Sequence, residues 1–137
     1  MNQTYLVRTR AEFLNEKFST NYKQYMRCTW KHPTDSYVVW MVFIDGERVD
    51  DYCNQINDDG TIITEEFLGK EGNLGYQTKL QRFRTSADKS PIRLIVRISR
   101  AKLPNNRWKY HILGKYELSR EESDLSNYHV WKRLETL

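Results

Sequence analysis

Tyr37-Val-Val-Trp-Met-Val-Phe-Ile44 is an unbroken run of eight apolar, β-branched and aromatic residues. A run of this kind predicts a buried β-strand. A cluster of turn formers at residues 32–36 precedes it, and Asp45-Gly46 follows it as a tight-turn dipeptide. The chain is therefore expected to fold back at once, with residues 47–52 as the hairpin partner of the buried strand.

Two more strands are indicated by alternation in the second half of the chain. Apolar side chains occupy every second position after Pro91, at Ile92, Leu94, Val96 and Ile98. After a turn at residues 103–107, one parity of the next strand holds Trp108, Tyr110, Ile112, Tyr116 and Leu118. Gly114 fills the remaining slot, which suggests a bulge or bend. A polar loop at residues 119–127 and a closing strand at residues 128–135 are then expected.

One helix is indicated near the start of the chain. Thr9-Arg-Ala-Glu12 has the pattern of a capping box, and apolar residues then follow at helical spacing, at Leu14, Phe18, Tyr22 and Tyr25. This spacing predicts a helix over residues 10–26. One helix with six or seven short strands, and no alternating helices, predicts an α+β fold built as a mixed β-barrel.

Length and composition fit one domain over residues 1–137, because 137 residues is the size of a single compact domain. Cys28 and Cys53 form neither a metal-binding pair nor a disulfide framework, which favours a reduced, cytosolic compartment. Neither a signal peptide nor an apolar run of membrane-spanning length is found in the sequence. We therefore expect a cytoplasmic protein.

The charge distribution favours a polyanionic partner. The net charge is +4, and the acids are concentrated between Asp45 and Glu71. From Lys79 to Lys115 the only acid is Asp88, among many lysines and arginines that are interleaved with aromatic residues. Side chains of this kind bind nucleic-acid phosphates, and the alternative interpretation is a solvated strand face.

Several enzymatic chemistries lack their signatures. There is no Gly-x-Ser-x-Gly elbow, and the glycines at 69, 72 and 75 lack the Gly-Lys-Ser/Thr of a nucleotide-binding loop. Judged by spacing alone, four carboxylates are candidates for the metal site of a nuclease: Asp58, Asp59, Glu65 and Glu66. The usual Asp followed by Glu-x-Lys is missing, so the sequence disfavours a nuclease, and these carboxylates are interpreted as a turn and solvated strand positions. The sequence indicates no cofactor, no metal and no catalytic residue.

The stretch that begins at Tyr52 and continues through Gly60-Thr-Ile-Ile-Thr-Glu-Glu-Phe67-Leu-Gly69-Lys-Glu-Gly72 resembles the SET- and RING-associated (SRA) domain signature. In that family a Tyr leads an acidic segment and a Gly, and further glycines follow. Later strands agree in order: Pro91-Ile-Arg-Leu-Ile-Val-Arg97, Trp108-Lys-Tyr-His-Ile-Leu-Gly-Lys-Tyr116 and Tyr128-His-Val-Trp-Lys-Arg-Leu134. The β-barrel domains of bacterial modification-dependent restriction proteins are also similar.

This resemblance implies a PUA-like barrel that binds duplex DNA, flips out a modified cytosine and holds it between two aromatic rings. Tyr52 would be the first stacking ring and Phe67 the second. Gln55 stands where the family has an acid that reads the base edge, so Gln55 or nearby Asn54 or Asn57 would read a different base or modification. The alternative is that Tyr52 and Phe67 are ordinary core aromatics.

The function expected from these observations is a non-enzymatic, DNA-reading module of a prokaryotic restriction or defence system. A nuclease, if any, would lie in a fused or partner domain. Phosphate contacts are expected from basic side chains of the loop at residues 70–79 and the segments after it: Lys70, Lys79, Arg82, Arg84, Arg93 and Arg97. Two alternatives stay open, a small protein-interaction factor such as a phage anti-defence inhibitor, and an RNA-binding PUA-like protein.

Overall fold

The computed structural model describes residues 3–134, which form two compact units. Unit 1 contains the chain up to Phe43 together with Leu94–Gly114, and unit 2 contains Ile44–Arg93 together with the chain from Lys115 onward. Within the described residues, no helix is long and apolar enough to cross a membrane.

Unit 1 is built on antiparallel strands and one helix. Its elements are β1 (Thr4–Val7), α1 (Arg10–Phe18), β2 (Thr29–Lys31), β3 (Val38–Val42), most of β7 (Ile92–Ile98) and the first part of β8 (Trp108–Asp124). Strand β1 pairs with β8, and β2 pairs with β3. The predicted buried strand is therefore β3, whose residues are almost all buried.

Helix α1 begins as predicted and ends earlier than predicted. The Thr9 hydroxyl accepts a hydrogen bond from the Glu12 backbone N–H at 3.1 Å, as a capping box requires. The helix ends at Phe18 because Ser19 is left-handed, with φ of 58°. The Asn15 side chain then bonds both the N–H and the C=O of Tyr22, which holds the next residues in a loop. The prediction of helix over residues 19–26 was therefore wrong.

The core of unit 1 is aromatic where α1 meets the strands. Phe13 is fully buried and stacks on Tyr110 with ring centroids 5.4 Å apart. The Tyr5 ring packs edge to face with the same phenylalanine, with ring centroids 5.2 Å apart. A buried Phe or Leu side chain contributes about 1.5–3 kcal/mol through loss of apolar surface from water.

Unit 2 contains a second helix and the remaining strands. These are β4 (Arg48–Val49), β5 (Tyr52–Ile56), β6 (Ile62–Phe67), α2 (Tyr76–Lys89), the second part of β8 and β9 (Tyr128–Arg133). The strands are antiparallel in the order β8-β9-β6-β5-β4. Strand β8 continues to Asp124, with a register shift after Ser119, where a loop was predicted. The last residue of the predicted closing strand, Glu135, lies outside the described residues.

The α+β class is confirmed. Strands within residues 3–134 follow the hydrogen-bonded order β2-β3-β7-β8-β9-β6-β5-β4, with β1 on β8. Nine strands are therefore found among residues 3–134, instead of six or seven. Helix α2 was missed because its apolar residues are dispersed among basic and polar ones, at Tyr76, Leu80, Phe83 and Ala87.

Candidate functional site

The candidate site lies on one face of the β5–β6 hairpin in unit 2. The antiparallel register places Tyr52 opposite Phe67 and Asn54 opposite Glu65. Because side chains alternate along a strand, these four residues share one face, which we call the Tyr52 face. Gln55 has the opposite parity, pairs with Thr64 and is exposed. The carboxamide on the same face as Tyr52 is therefore that of Asn54 and not that of Gln55. The same pairing places the Glu65 carboxylate on this face.

Aromatic rings cover part of this face. The Tyr52 and Phe67 ring centroids lie 5.6 Å apart at 54°. Phe83 of α2 stacks on Phe67 at 5.4 Å and on the His129 ring at 3.8 Å and 7°. A base held between two parallel rings needs about 7 Å, twice the 3.4 Å stacking step. Tyr52 and Phe67 are therefore neighbours on one wall and do not face each other across a base-sized gap.

Burial separates the roles of these rings. Phe67 is 6% exposed and Phe83 is 4% exposed, whereas Tyr52 is half-buried. Gly69 turns the chain directly over Phe67, where an added Cβ would run into the ring. Tyr76, the first residue of α2, packs on Phe67 from 6.0 Å. Tyr52 is thus the ring of the predicted pair that a planar ligand reaches most easily.

Glu65 is the polar centre of the face. Its Oε1 accepts hydrogen bonds from Arg93 Nη1 at 3.1 Å and Trp131 Nε1 at 3.4 Å, and lies 3.1 Å from His129 Nδ1. Burial alone would raise the pKa of this carboxyl, but the Arg93 guanidinium and the His129 hydrogen bond hold the pKa below its usual value. Within residues 3–134, every hydrogen bond of Glu65 falls on Oε1, which leaves Oε2 available as an acceptor.

The other groups around Glu65 are fixed as well. The second ring nitrogen of His129 faces the Leu125 carbonyl at 3.2 Å. The Arg93 guanidinium lies 4.1 Å from the centre of the Trp131 ring, and its Nη2 donates to the Ser86 hydroxyl at 3.2 Å. This network orients the carboxylate and leaves it little freedom to rotate.

The structure contradicts the predicted phosphate contact of Arg93. Its side chain is 3% exposed and is paired with Glu65 in the interior of unit 2. The sequence predicts a phosphate contact for Arg93, but helix α2, which the sequence did not indicate, contributes Ser86 beside it. Arg93 therefore anchors Glu65, and it does not reach a phosphate.

The remaining predicted cations differ in their surroundings. Lys79 bonds Asp51 at 2.6 Å, a hydrogen bond that raises the lysine pKa, and Arg84 bonds the Ser126 hydroxyl at 2.6 Å. Lys70 is exposed. Arg82 is exposed on α2, beside a shallow polar hollow lined by Gln77, Thr78, Gln81 and Thr85. Arg97 belongs to unit 1 and is half-buried.

The carboxylates considered for a metal do not converge. Among residues 3–134 there is no group of three or more His, Cys, Asp or Glu side chains that could hold a metal ion. Glu65 and Glu66 point to opposite faces of β6 because they are consecutive in a strand. The Asp59 carboxylate accepts hydrogen bonds from Thr61 within its own turn, and these bonds lower the pKa of the carboxyl.

The family model of the SET and RING associated domain matches residues 5–137. Among solved structures, the chain is similar to the 5-hydroxymethylcytosine-specific restriction enzyme AbaSI, with a TM-score of 0.70 and 25% sequence identity. The match covers 96% of this chain and 38% of that one, so this chain spans well under half the length of the restriction enzyme. No curated protein matches.

Proposed function

The chain belongs to the SET and RING associated domain family, and from this premise we propose that it binds duplex DNA and reads a modified cytosine at the Tyr52 face. The observation that carries the proposal is the cross-strand pair of Asn54 and Glu65, which sits beside the accessible Tyr52 ring. The similarity to a 5-hydroxymethylcytosine-specific enzyme supports cytosine as the base.

Glu65 supplies the acceptor that cytosine requires. The exocyclic N4 amino group of cytosine donates hydrogen bonds, and acidic side chains are its natural acceptors. The ion pair with Arg93 keeps Glu65 ionised, and the three contacts on Oε1 leave Oε2 for the base. Thymine presents a carbonyl oxygen at this position, so an ionised carboxylate repels it.

Asn54 supplies the complementary polar group. A carboxamide donates and accepts, so one side chain bonds either a ring acceptor of the base or a hydroxyl substituent on it. Tyr52 offers a ring for stacking, and Phe67 and Phe83 support that ring within the aromatic cluster. Stacking and edge contacts together offset the few kcal/mol that are needed to take a base out of the duplex.

Phosphate contacts complete the binding mode and carry no sequence information themselves. Lys70, Lys79, Arg82, Arg84 and Arg97 remain the proposed contacts from the sequence analysis, and Arg93 is removed from this set. The chain acts as a binding module of a restriction or defence system. Cleavage belongs to a fused or partner nuclease, in keeping with the 38% share of the restriction enzyme that this chain matches.

Equilibrium binding to four duplexes tests the proposal. The duplexes differ only at one target base, which is cytosine, 5-methylcytosine, 5-hydroxymethylcytosine or its glucosylated form. We expect at least one modified duplex to bind more tightly than the cytosine duplex, and to bind more tightly than a structured RNA of the same length. Equal affinity for all four duplexes, or preference for the RNA, contradicts modified-cytosine reading.

A further inference from the structure

The two units carry opposite charge. Unit 1 contains eleven lysines and arginines and three acids, whereas unit 2 contains eleven lysines and arginines and fifteen acids. The positive net charge of the chain therefore comes entirely from unit 1. Unit 2, which holds the Tyr52 face, is net negative.

Several cations of unit 2 are paired with neighbouring acids. Lys79 is paired with Asp51, Arg120 with Asp88 and Lys132 with Glu122, at 2.6–3.0 Å. Paired cations bind phosphate less strongly, because the local anion already occupies them and the summed potential is low. These three cations are thus weaker phosphate contacts than unpaired cations would be.

The connection between β7 and β8 in unit 1 has the opposite character. It projects exposed cations at Lys102 and Arg107, and Lys109 follows at the start of β8. No ion pair is found for any of these three within residues 3–134. From Pro91 to Tyr116 the sequence contains no acid at all. We call Lys102, Arg107 and Lys109 the hairpin cations.

The shape of the hairpin is fixed by its backbone and by two aromatic rings. Asn105 and Asn106 are both left-handed, and the Leu103 N–H donates to the Arg107 carbonyl at 2.7 Å. The Lys102 ammonium lies 5.6 Å from the centre of the Trp108 ring, which is itself 5.9 Å from Phe43. A cation held over a ring loses less freedom when it meets its partner.

From these observations we infer that the hairpin cations of unit 1 form a second binding surface, for the sugar-phosphate backbone of duplex DNA. This inference rests on the proposed function for the choice of DNA. The hairpin cations add affinity without regard to base identity, and the Tyr52 face of unit 2 sets discrimination between bases.

Salt dependence measures phosphate contacts directly, because log K falls against log salt with a slope of about −0.9 for each phosphate neutralised on B-DNA. The test uses the full chain with K102Q, R107Q and K109Q combined. We expect the slope to become shallower by about two to three, with equal loss of affinity for modified and unmodified duplexes. The single variant K102Q is expected to give about one third of that change.

The matched control replaces three cations of unit 2 in the same way, with K89Q, R120Q and K132Q. It changes the net charge equally, and we expect it to leave the slope near that of the wild type. Melting curves confirm that each variant is folded. An unchanged slope in the hairpin variant, an equal change in the control, or a lower affinity for structured RNA but not for duplex DNA overturns the inference.

These results separate the two proposals. If all four duplexes bind equally and the hairpin variant still lowers the slope, base reading fails and the backbone surface stands. If discrimination persists and the hairpin variant changes nothing, base reading stands and the backbone surface fails.

Discussion

Asn54 and Glu65 lie directly opposite each other across β5 and β6, on the same face of the hairpin as the Tyr52 ring. One is a carboxamide and the other is a carboxylate fixed by Arg93, His129 and Trp131 through a single oxygen. This pair gives the face both a donor and acceptors beside a stacking ring.

Replacement of Glu65 by Gln tests whether the carboxylate holds the interior of unit 2 together. Arg93 would keep its charge in the interior without a counterion, and breaking a buried ion pair in this way costs about 3–5 kcal/mol. We expect a loss of this size in the free energy of unfolding, measured by urea titration. Glu66→Gln, on the exposed face of the same strand, is the control and should change stability by less than about 0.5 kcal/mol.

The pH dependence of stability follows from the same carboxyl. Its pKa is lowered in the folded protein, so the stabilisation is complete above the unfolded-state pKa of about 4.3 and is lost as pH falls through the lower folded-state value. We expect the free energy of unfolding to fall as the pH is lowered below about 4. The Glu65→Gln variant should show a weaker dependence in this range, and an equal dependence in both proteins would assign the effect to other groups.

Truncation of the two predicted stacking rings should give different results. Phe67 is 6% exposed, and Phe67→Ala is expected to cost about 3–5 kcal/mol of stability. Tyr52 is half-buried, so Tyr52→Ala should cost only about 1–2 kcal/mol and should abolish discrimination between modified and unmodified duplexes. Urea titration and duplex binding measure the two effects. Full discrimination in a folded Tyr52→Ala protein would remove Tyr52 from the site.

Much of the fold was readable from local pattern. The apolar run that became β3 and the alternation that became β7 both lie where the sequence indicated, because strand periodicity depends on neighbours in the chain. Helix α2 was missed although Tyr76, Leu80, Phe83 and Ala87 have helical spacing. The surrounding lysines and arginines were interpreted as a phosphate-binding segment instead.

The composition of the site depends on the register of β5 against β6, which a single sequence does not supply. Tyr52, Asn54 and Phe67 were singled out from the sequence, but Glu65 was considered only as a metal ligand. Its place beside Asn54 depends on the pairing of β5 with β6. Gln55 was favoured over Asn54 by its spacing from Tyr52, and strand alternation would have argued against it because residues 52 and 55 lie on opposite faces. The sequence predicts a phosphate contact for Arg93 because nothing local reveals the helix that packs beside it.

The most direct test of the account compares two neighbouring carboxamides, in Asn54→Ala and Gln55→Ala. The measurement is the ratio of dissociation constants for duplexes with cytosine and with the best-bound modified cytosine. We expect a ratio well above one for the wild type and for Gln55→Ala, and a ratio close to one for Asn54→Ala, since a good base-edge contact contributes about 1–3 kcal/mol of discrimination. Two results contradict reading at the Tyr52 face. One is a ratio close to one for Gln55→Ala with a wild-type ratio for Asn54→Ala, and the other is a ratio of one for the wild type.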